Sequence, residues 1–553
     1  MRGACDPLIL LGNEAVALGA IDAGLVSAYS YPGTPASEIM EYLIGASDGG
    51  KRFRAAWSVN EKVAYEEALG VSFAGGRTMV SMKHVGLNVA ADPFMNSALV
   101  GIGGGLVVVS ADDPSMHSSQ NEQDSRYYAD FARVVCFEPS DQQEAYEMTR
   151  AAFDVSEQYG IPVLVRLVTR LSHSRSIVVP GEPRAQGRRA RTGAGRYGAW
   201  DEWTLLPMNA RKRFRSLLER QPELVRMSEA SEFNRLELGG PGARKAIIAS
   251  GIAYNYVKEN LRDLADSSDK PAVLKISVYP IPQETIARLV EQVETVIVVE
   301  EGFPYIERAL TGLLGACGKT VKGKITGDLP PSGELSPQTV RPVLGLAPLP
   351  TKQAPDFHLP ARPPQLCKGC PHGDTFNALK AALEGYPEAN VFSDIGCYTL
   401  GAFPPYRAIN TCVCMGASVS MAKGGSEAGI HPSVAVIGDS TFGHSGITPL
   451  LEASAQNTDM TVIILDNSTV AMTGGQPSYS SGKPLLRIIE GVGVPKEHIR
   501  VIEPLPKNLE ANVAAIREEI DYRGISVIVA ARECLQEARK RRRKAGDAGA
   551  AGD

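Results

Sequence analysis

Two apolar strands in the last third of the chain each end in a polar residue able to grip a cation. Val434-Ala435-Val436-Ile437 runs into Gly438-Asp439-Ser440-Thr441-Phe442, and Ile463-Ile464-Leu465-Asp466 runs into Asn467-Ser468-Thr469. Asn467 follows Asp439 by twenty-eight residues, with a helical stretch between. That pattern predicts parallel strands whose C-terminal tips open into one crevice, where ligands bind in α/β sheets. The Asp439 carboxylate, the Asn467 amide oxygen and the Thr469 carbonyl suit a hard Mg²⁺ that keeps positions for phosphate oxygens. Ser440 and the small residues around it let a helix N terminus approach the phosphate, where amides and dipole favour anions. The plainer alternative is a strand-end acid that caps a helix.

At 553 residues the chain is too long for one core and predicts about three or four domains. Apolar residues make up 44%, enough for globular packing. Lys and Arg number 57 against 62 Asp and Glu, a balance that excludes a binder of nucleic acid driven by phosphate contacts. Nine cysteines without an export signal point to a reducing, cytoplasmic setting with thiols free for metal or redox use. No apolar run approaches the roughly 20 residues of a spanning helix, so no membrane is expected.

Strand and helix patterns alternate over 1–178, with strands at Ser27–Ser30, Thr78–Ser81, Leu106–Val109 and Pro162–Val165. This βαβ series predicts a doubly wound, mostly parallel sheet. Residues 179–240 turn basic and Gly/Pro-rich from Gly181 to Tyr197, then polar and helical, and read as a linker or insertion with a solvated face. Residues 241–345 form a second α/β unit, 346–365 a proline-laden linker, 366–536 a third α/β unit, and 537–553 a basic tail expected to be disordered.

The cysteines form a second pattern with chemistry in it. Cys367 and Cys370 make a Cys-x-x-Cys, Cys397 follows a strand, and Cys534 lies beyond the final strand Val527–Val529. Four thiolates suit a [4Fe–4S] cluster. Spacing alone serves a tetrahedral zinc equally well, and plain buried thiols are a third reading. Cys412 and Cys414 sit in an apolar segment leading into a helix and read as core, or as substitutes should Cys534 not reach.

The run from Gly438 to Ile447, together with Ile464 to Gln476, resembles the large (alpha) subunit of indolepyruvate ferredoxin oxidoreductase, of the thiamine diphosphate-dependent 2-oxoacid:ferredoxin oxidoreductase family. So do Tyr31-Pro32-Gly33-Thr34-Pro35, Asn60-Glu61-Lys62, Met82-Lys83-His84-Val85-Gly86-Leu87-Asn88 and Cys367-Lys368-Gly369-Cys370-Pro371-His372, in the same order from about residue 7 to 536. The resemblance implies a multidomain α/β thiamine diphosphate-binding fold: a pyrimidine-binding domain, a transketolase C-terminal-like domain and a diphosphate-binding domain, with the cofactor between the first and last.

Residue roles follow from the resemblance. Glu61 would place a carboxyl beside the aminopyrimidine ring and favour the tautomer that removes the reactive proton; locally it is also a helix-start acid stabilised by the dipole, with Glu66 and Glu67 as neighbours on the same helix. Thr34, in a rigid turn, would touch the substrate carboxylate. Lys83, His84 and Asn88 resemble the active-site rim, and His84 reads equally as a surface loop histidine. Gly438, Asp439, Ser440, Asn467, Thr473, Gln476, His372 and His444 fall toward the diphosphate end, and the four cysteines match the cluster-binding pattern.

The implied reaction is oxidative decarboxylation of an aryl 2-oxoacid to an acyl-CoA, with electrons passing through the cluster to ferredoxin. The implied partners are a smaller gamma-type (beta) subunit, coenzyme A as co-substrate and a hetero-oligomer built on an alpha dimer. A non-oxidative thiamine diphosphate decarboxylase or carboligase shares Asp439, Asn467 and Glu61 but needs no cluster; a non-catalytic scaffold subunit is the third possibility. The chain departs from the family in lacking the two Cys-x-x-Cys-x-x-Cys runs of a C-terminal ferredoxin-like domain. A partner's clusters, or a soluble acceptor docking near the single cluster, would take that place. The basic run Arg539–Lys544 would attract an acidic ferredoxin or stay solvated.

Overall fold

The computed structural model describes residues 6–186, 203–264, 267–316, 319–350 and 364–550, with side chains outside 312–316 and 544–550. The chain divides into two compact units, 1–354 and 355–553. Most of the basic stretch 181–197 and of the linker 346–365 lies outside the described residues.

A seven-stranded sheet organises the first unit, in the order Val278–Tyr279, Cys136–Phe137, Val163–Val168, Leu106–Asp112, Thr78–Lys83, Ser27–Ser30 and Arg54–Trp57. All neighbours are parallel except Val278–Tyr279, which is antiparallel. Leu106–Asp112 is buried along its whole length, as expected of a strand covered on both faces, and its first four residues are a continuous apolar run. The long helix Gln142–Tyr159 begins where the Asp141 carboxylate accepts the Glu144 N–H at 2.9 Å and stops at Gly160, whose φ of +62° breaks it.

A second sheet follows, in the order Thr320–Lys322, Thr295–Val299, Lys245–Ser250, Ala272–Ile276 and Arg235–Glu237. The breaks expected at 178 and 240 do not separate compact units, whereas the boundary between the two units falls within the expected linker 346–365. Right after Ala272–Ile276 the chain crosses to pair Val278–Tyr279 with Cys136–Phe137 of the first sheet, and both sheets share one apolar core. Arg235–Glu237 and the helix Pro207–Glu229 also build part of the stretch expected as a linker.

Buried charge joins the two sheets. Arg126 pairs with Asp124 and with Glu300 at 2.8 Å, and donates to the Glu301 carbonyl. Arg166 pairs with Asp112 at 2.6 Å and with Glu138.

The second unit holds a five-stranded, all-parallel sheet: Asn390–Ser393, Ser433–Gly438, Met460–Asp466, Ile525–Ala531 and Ile499–Ile502. Alternate residues serve two cores. Ala435, Ile437, Val462, Ile464, Val527 and Val529 face one, while Val434, Val436, Ile463, Leu465, Ile528 and Ala530 face the other. That two-residue period is the doubly wound arrangement expected from the sequence.

Two expectations fail in this unit. The helix Leu535–Ala550 runs on through 537–550, where disorder was expected. Cys412 is half-buried and Cys414 exposed, ahead of the helix Ala417–Glu427, so they are not core residues. Among the described residues no helix is long and apolar enough to cross a membrane.

Candidate cofactor and active site

Parallel pairing brings the two polar strand tips of the second unit together. Gly438 is in register with Leu465, so Asp439 lies beside Asp466 and Asn467 falls one residue beyond. Asp439 is 2% exposed; its carboxylate is approached by Ser440, Ser468 and Ser478, and its Oδ2 has no well-aligned hydrogen-bond partner among the described residues. Burial first, then the Asp466 charge, push its carboxyl up to about 8. An orphaned carboxylate oxygen is costly in a dry site, and a divalent cation would satisfy it. Asp466 is already spent: it accepts the Ser468 N–H at 3.1 Å, the Ser481 hydroxyl at 2.7 Å and the Gly482 N–H at 2.7 Å.

Asn467 is oriented from two sides. Its Oδ1 accepts the Thr469 N–H at 3.2 Å, and its Nδ2 lies 3.1 Å from His372 Nε2. Burial, helped by the Arg532 charge, holds the His372 ring down to about 4, so the neutral ring accepts the amide N–H. The Asn467 carbonyl accepts the Cys534 N–H at 3.2 Å, tying the candidate metal tip to the last cysteine.

Helix starts at Asp439 as expected and continues through a π turn at Phe442–Gly446, a distortion frequent at functional sites. A Cβ on Gly438 would come 2.7 Å from the Tyr398 ring, so only glycine fits beneath that aromatic. His444 is buried in the turn, its Nδ1 2.6 Å from the Ser445 hydroxyl. Thr473 and Gln476 bind each other: the Thr473 hydroxyl donates to Gln476 Oε1 at 2.6 Å, and Gln476 Nε2 donates to the Thr473 carbonyl at 2.7 Å. They shape their loop.

Cys367, Cys370, Cys397 and Cys534 come within electrostatic reach of one another. Burial, then the charges of Cys370, Cys534 and Cys367, push the Cys397 thiol up to about 12. The Cys370 N–H closes a turn on the Cys367 carbonyl at 3.0 Å, and Gln536 donates to Cys367 Sγ at 3.4 Å. Among the described residues no three His, Cys, Asp or Glu side chains converge tightly enough for a single metal ion.

In the first unit the remaining candidates gather at the C-terminal edge of the parallel sheet. Glu61 opens the helix Glu61–Phe73, capped by Asn60, whose side chain accepts the Val63 N–H. It is 5% exposed, and its carboxylate lies against Gly86: a Cβ there would fall 2.6 Å from Glu61 Oε1. Glu66 and Glu67 are engaged elsewhere, with Lys62 and Ser58.

His84 is 1% exposed, which rules out a surface loop histidine. Its Nε2 is 3.1 Å from Asn121 Oδ1, and its Nδ1 is buried without a partner. Gln123 Nε2 also donates to Asn121 Oδ1 at 3.1 Å, so that oxygen acts as an acceptor and His84 donates from Nε2. The side chain of Asn88 accepts the Tyr128 hydroxyl at 2.6 Å.

Thr34 is half-buried, and its carbonyl accepts the Ser118 hydroxyl at 3.2 Å. Asp113, Ser118 and Asn121, on the segment after Leu106–Asp112, escaped the sequence analysis. The only signal was their place beyond a strand end.

Residues 394–530 match the family "Thiamine pyrophosphate enzyme, C-terminal TPP binding domain", and 18–197 match "Pyruvate flavodoxin/ferredoxin oxidoreductase, thiamine diP-bdg". The indolepyruvate oxidoreductase subunit IorA of Archaeoglobus fulgidus is 39% identical over 98% of this chain and 88% of its own length. The chain belongs to the IorA family.

The IorA of Methanothermobacter marburgensis is 40% identical, covering 96% of this chain and 88% of that protein. Pyrococcus abyssi IorA is 37% identical over 96% of this chain and 86% of its own length. As an IorA-family member the chain is the alpha-type subunit of a thiamine diphosphate-dependent 2-oxoacid oxidoreductase. Its orphaned Asp439 oxygen and the helix start beside it fit a cation-bound diphosphate.

Proposed function

We propose that this chain oxidatively decarboxylates an aryl 2-oxoacid of the indolepyruvate kind. It works with a smaller partner subunit, coenzyme A, Mg²⁺ and a [4Fe–4S] cluster that feeds ferredoxin, in the reducing cytoplasm where thiols stay free. The carrying observation is the buried Oδ2 of Asp439, without a well-aligned hydrogen-bond partner among the described residues, at a parallel-sheet crevice in a chain of the IorA family. Bound thiamine diphosphate supplies the electron sink that decarboxylation requires.

The chain's own residues do the rest. Asp439, Asn467 and the Thr469 carbonyl would hold Mg²⁺, with His372 fixing the Asn467 amide. Glu61, dry against Gly86, would keep a carboxyl on the aminopyrimidine nitrogen and steer its proton. His84 would line the same edge of the sheet, held by the contact of its Nε2 with Asn121. Cys367, Cys370, Cys397 and Cys534, which lie within electrostatic reach of one another, would supply four thiolates to the cluster.

The test is an anaerobic assay of the complex co-expressed with its smaller subunit, screening 2-oxoacids for viologen reduction with and without coenzyme A. Arylpyruvates should reduce the dye in a coenzyme A-dependent way, and iron with labile sulfide should accompany the chain. Decarboxylation without iron would favour the non-oxidative alternative.

A further inference from the structure

Lys83 ends the strand Thr78–Lys83 at the same sheet edge as Thr34, Glu61 and His84. It is only 8% exposed, yet it makes no ion pair among the described residues. Its Nζ donates to the Ser118 carbonyl at 2.8 Å and to the Ser118 hydroxyl at 3.3 Å, both neutral. Asp113 is the acid whose charge reaches it, but the Asp113 oxygens are committed to the Ser118 N–H, the Ser119 hydroxyl and the Thr169 hydroxyl at 2.8, 2.6 and 2.6 Å.

An ammonium taken out of water without a counter-ion is costly. Burial pulls the Lys83 ammonium down to about 8 despite Asp113. Two of its three N–H groups are used, and one is uncommitted.

The surroundings say what should fill that gap. Ser118, which receives Lys83, also donates to the Thr34 carbonyl at 3.2 Å, so the ammonium is held toward the Thr34 turn. Gly33 keeps that turn close, since a Cβ there would lie 3.2 Å from Lys83 Cβ. Three residues along, Gly86 backs onto the Glu61 carboxylate, so the cation and the proposed ring contact share one corner of the sheet. We infer that Lys83 is the cation that receives the carboxylate of the 2-oxoacid, with Ser118 aiming it beside Thr34. The inference deepens the proposed reaction by naming how this chain holds the acid end of its substrate.

The test uses the complex with its smaller subunit and two probes, 3-phenylpropanoate and its neutral amide 3-phenylpropanamide, titrated calorimetrically. Wild type should prefer the carboxylate. K83M should weaken carboxylate binding by about 10- to 100-fold, the range of one hydrogen bond to a charged group, and leave the amide unchanged. K83R should restore part of the loss, and the KM for an arylpyruvate should follow the same order.

Thermal melting separates this role from a structural stitch. K83M should melt no lower than wild type, because it removes an unpaired buried charge. Equal binding of carboxylate and amide by wild type, unchanged carboxylate binding by K83M, or an equal loss of both probes would overturn the assignment. If carboxylate binding depends on Lys83 while wild type turns over no 2-oxoacid, the site stands and the proposed reaction falls.

Discussion

Asp439 is the residue where local chemistry and burial conflict most. A carboxyl raised from the ordinary aspartate range to about 8 means that the folded apo chain holds a proton the unfolded chain has released. Its contribution to stability is therefore present below about pH 4 and is lost as pH climbs toward 8. D439N has no such proton, so its melting advantage over the apo wild type should widen from pH 5 to pH 8. The increment from Mg²⁺ plus thiamine diphosphate should grow with pH in wild type and vanish in D439N; parallel curves in differential scanning fluorimetry would count against the cation site. Gly86 makes a separate prediction. G86A drives a methyl into the Glu61 carboxylate and should lower kcat at least about tenfold. Binding of magnesium diphosphate by the second unit should persist. The placement of Asp439 and Asn467 at neighbouring strand tips and of Glu61 at a helix start was legible from the sequence. The burial of His84 was not, because Asn121, which contacts it, lies thirty-seven residues away.

Elements were easier to read than their partners. The apolar runs at Leu106–Val109, Val296–Val299 and Val434–Ile437 lie within observed strands, since a strand covered on both faces shows its burial directly in sequence. Charged helices hide theirs. The run expected as a disordered tail is helical, and its cations are partly neutralised by the pairs Lys540–Glu537 and Arg541–Glu533. The ion network between the two sheets of the first unit was invisible, because Asp112, Arg126, Arg166 and Glu300 are scattered in sequence. R166M leaves Asp112 in the interior with no cation against it among the described residues and Glu138 with only Arg126 and the Tyr279 hydroxyl, and should cost about 3–5 kcal/mol. R170M breaks the partly exposed pair with Glu334 and the contact over the Tyr256 ring, and should cost at most about 2 kcal/mol. All three tryptophans, Trp57, Trp200 and Trp203, belong to the first unit, so tryptophan fluorescence in urea reports on that unit alone. Equal midpoints for the two variants would refute the network's role.

At the scale of the whole molecule, cofactor binding and electron transfer should be separable. C534S should reduce iron content and viologen reduction sharply in the anaerobic complex, while thiamine diphosphate still raises the melting temperature. Loss of both together would mean that the Cys534 side chain supports the fold around the Asn467 tip rather than a cluster. The α/β class and the parallel strands that end at Asp439 and Asn467 followed from the sequence alone, because strand periodicity is a local property. The tertiary structure decided that the first two predicted domains form one unit, that Cys412 and Cys414 are not core, and that Lys83 is buried without a counter-ion. Each depends on which distant segment covers a residue, and burial by a remote segment leaves no mark on the residue it buries.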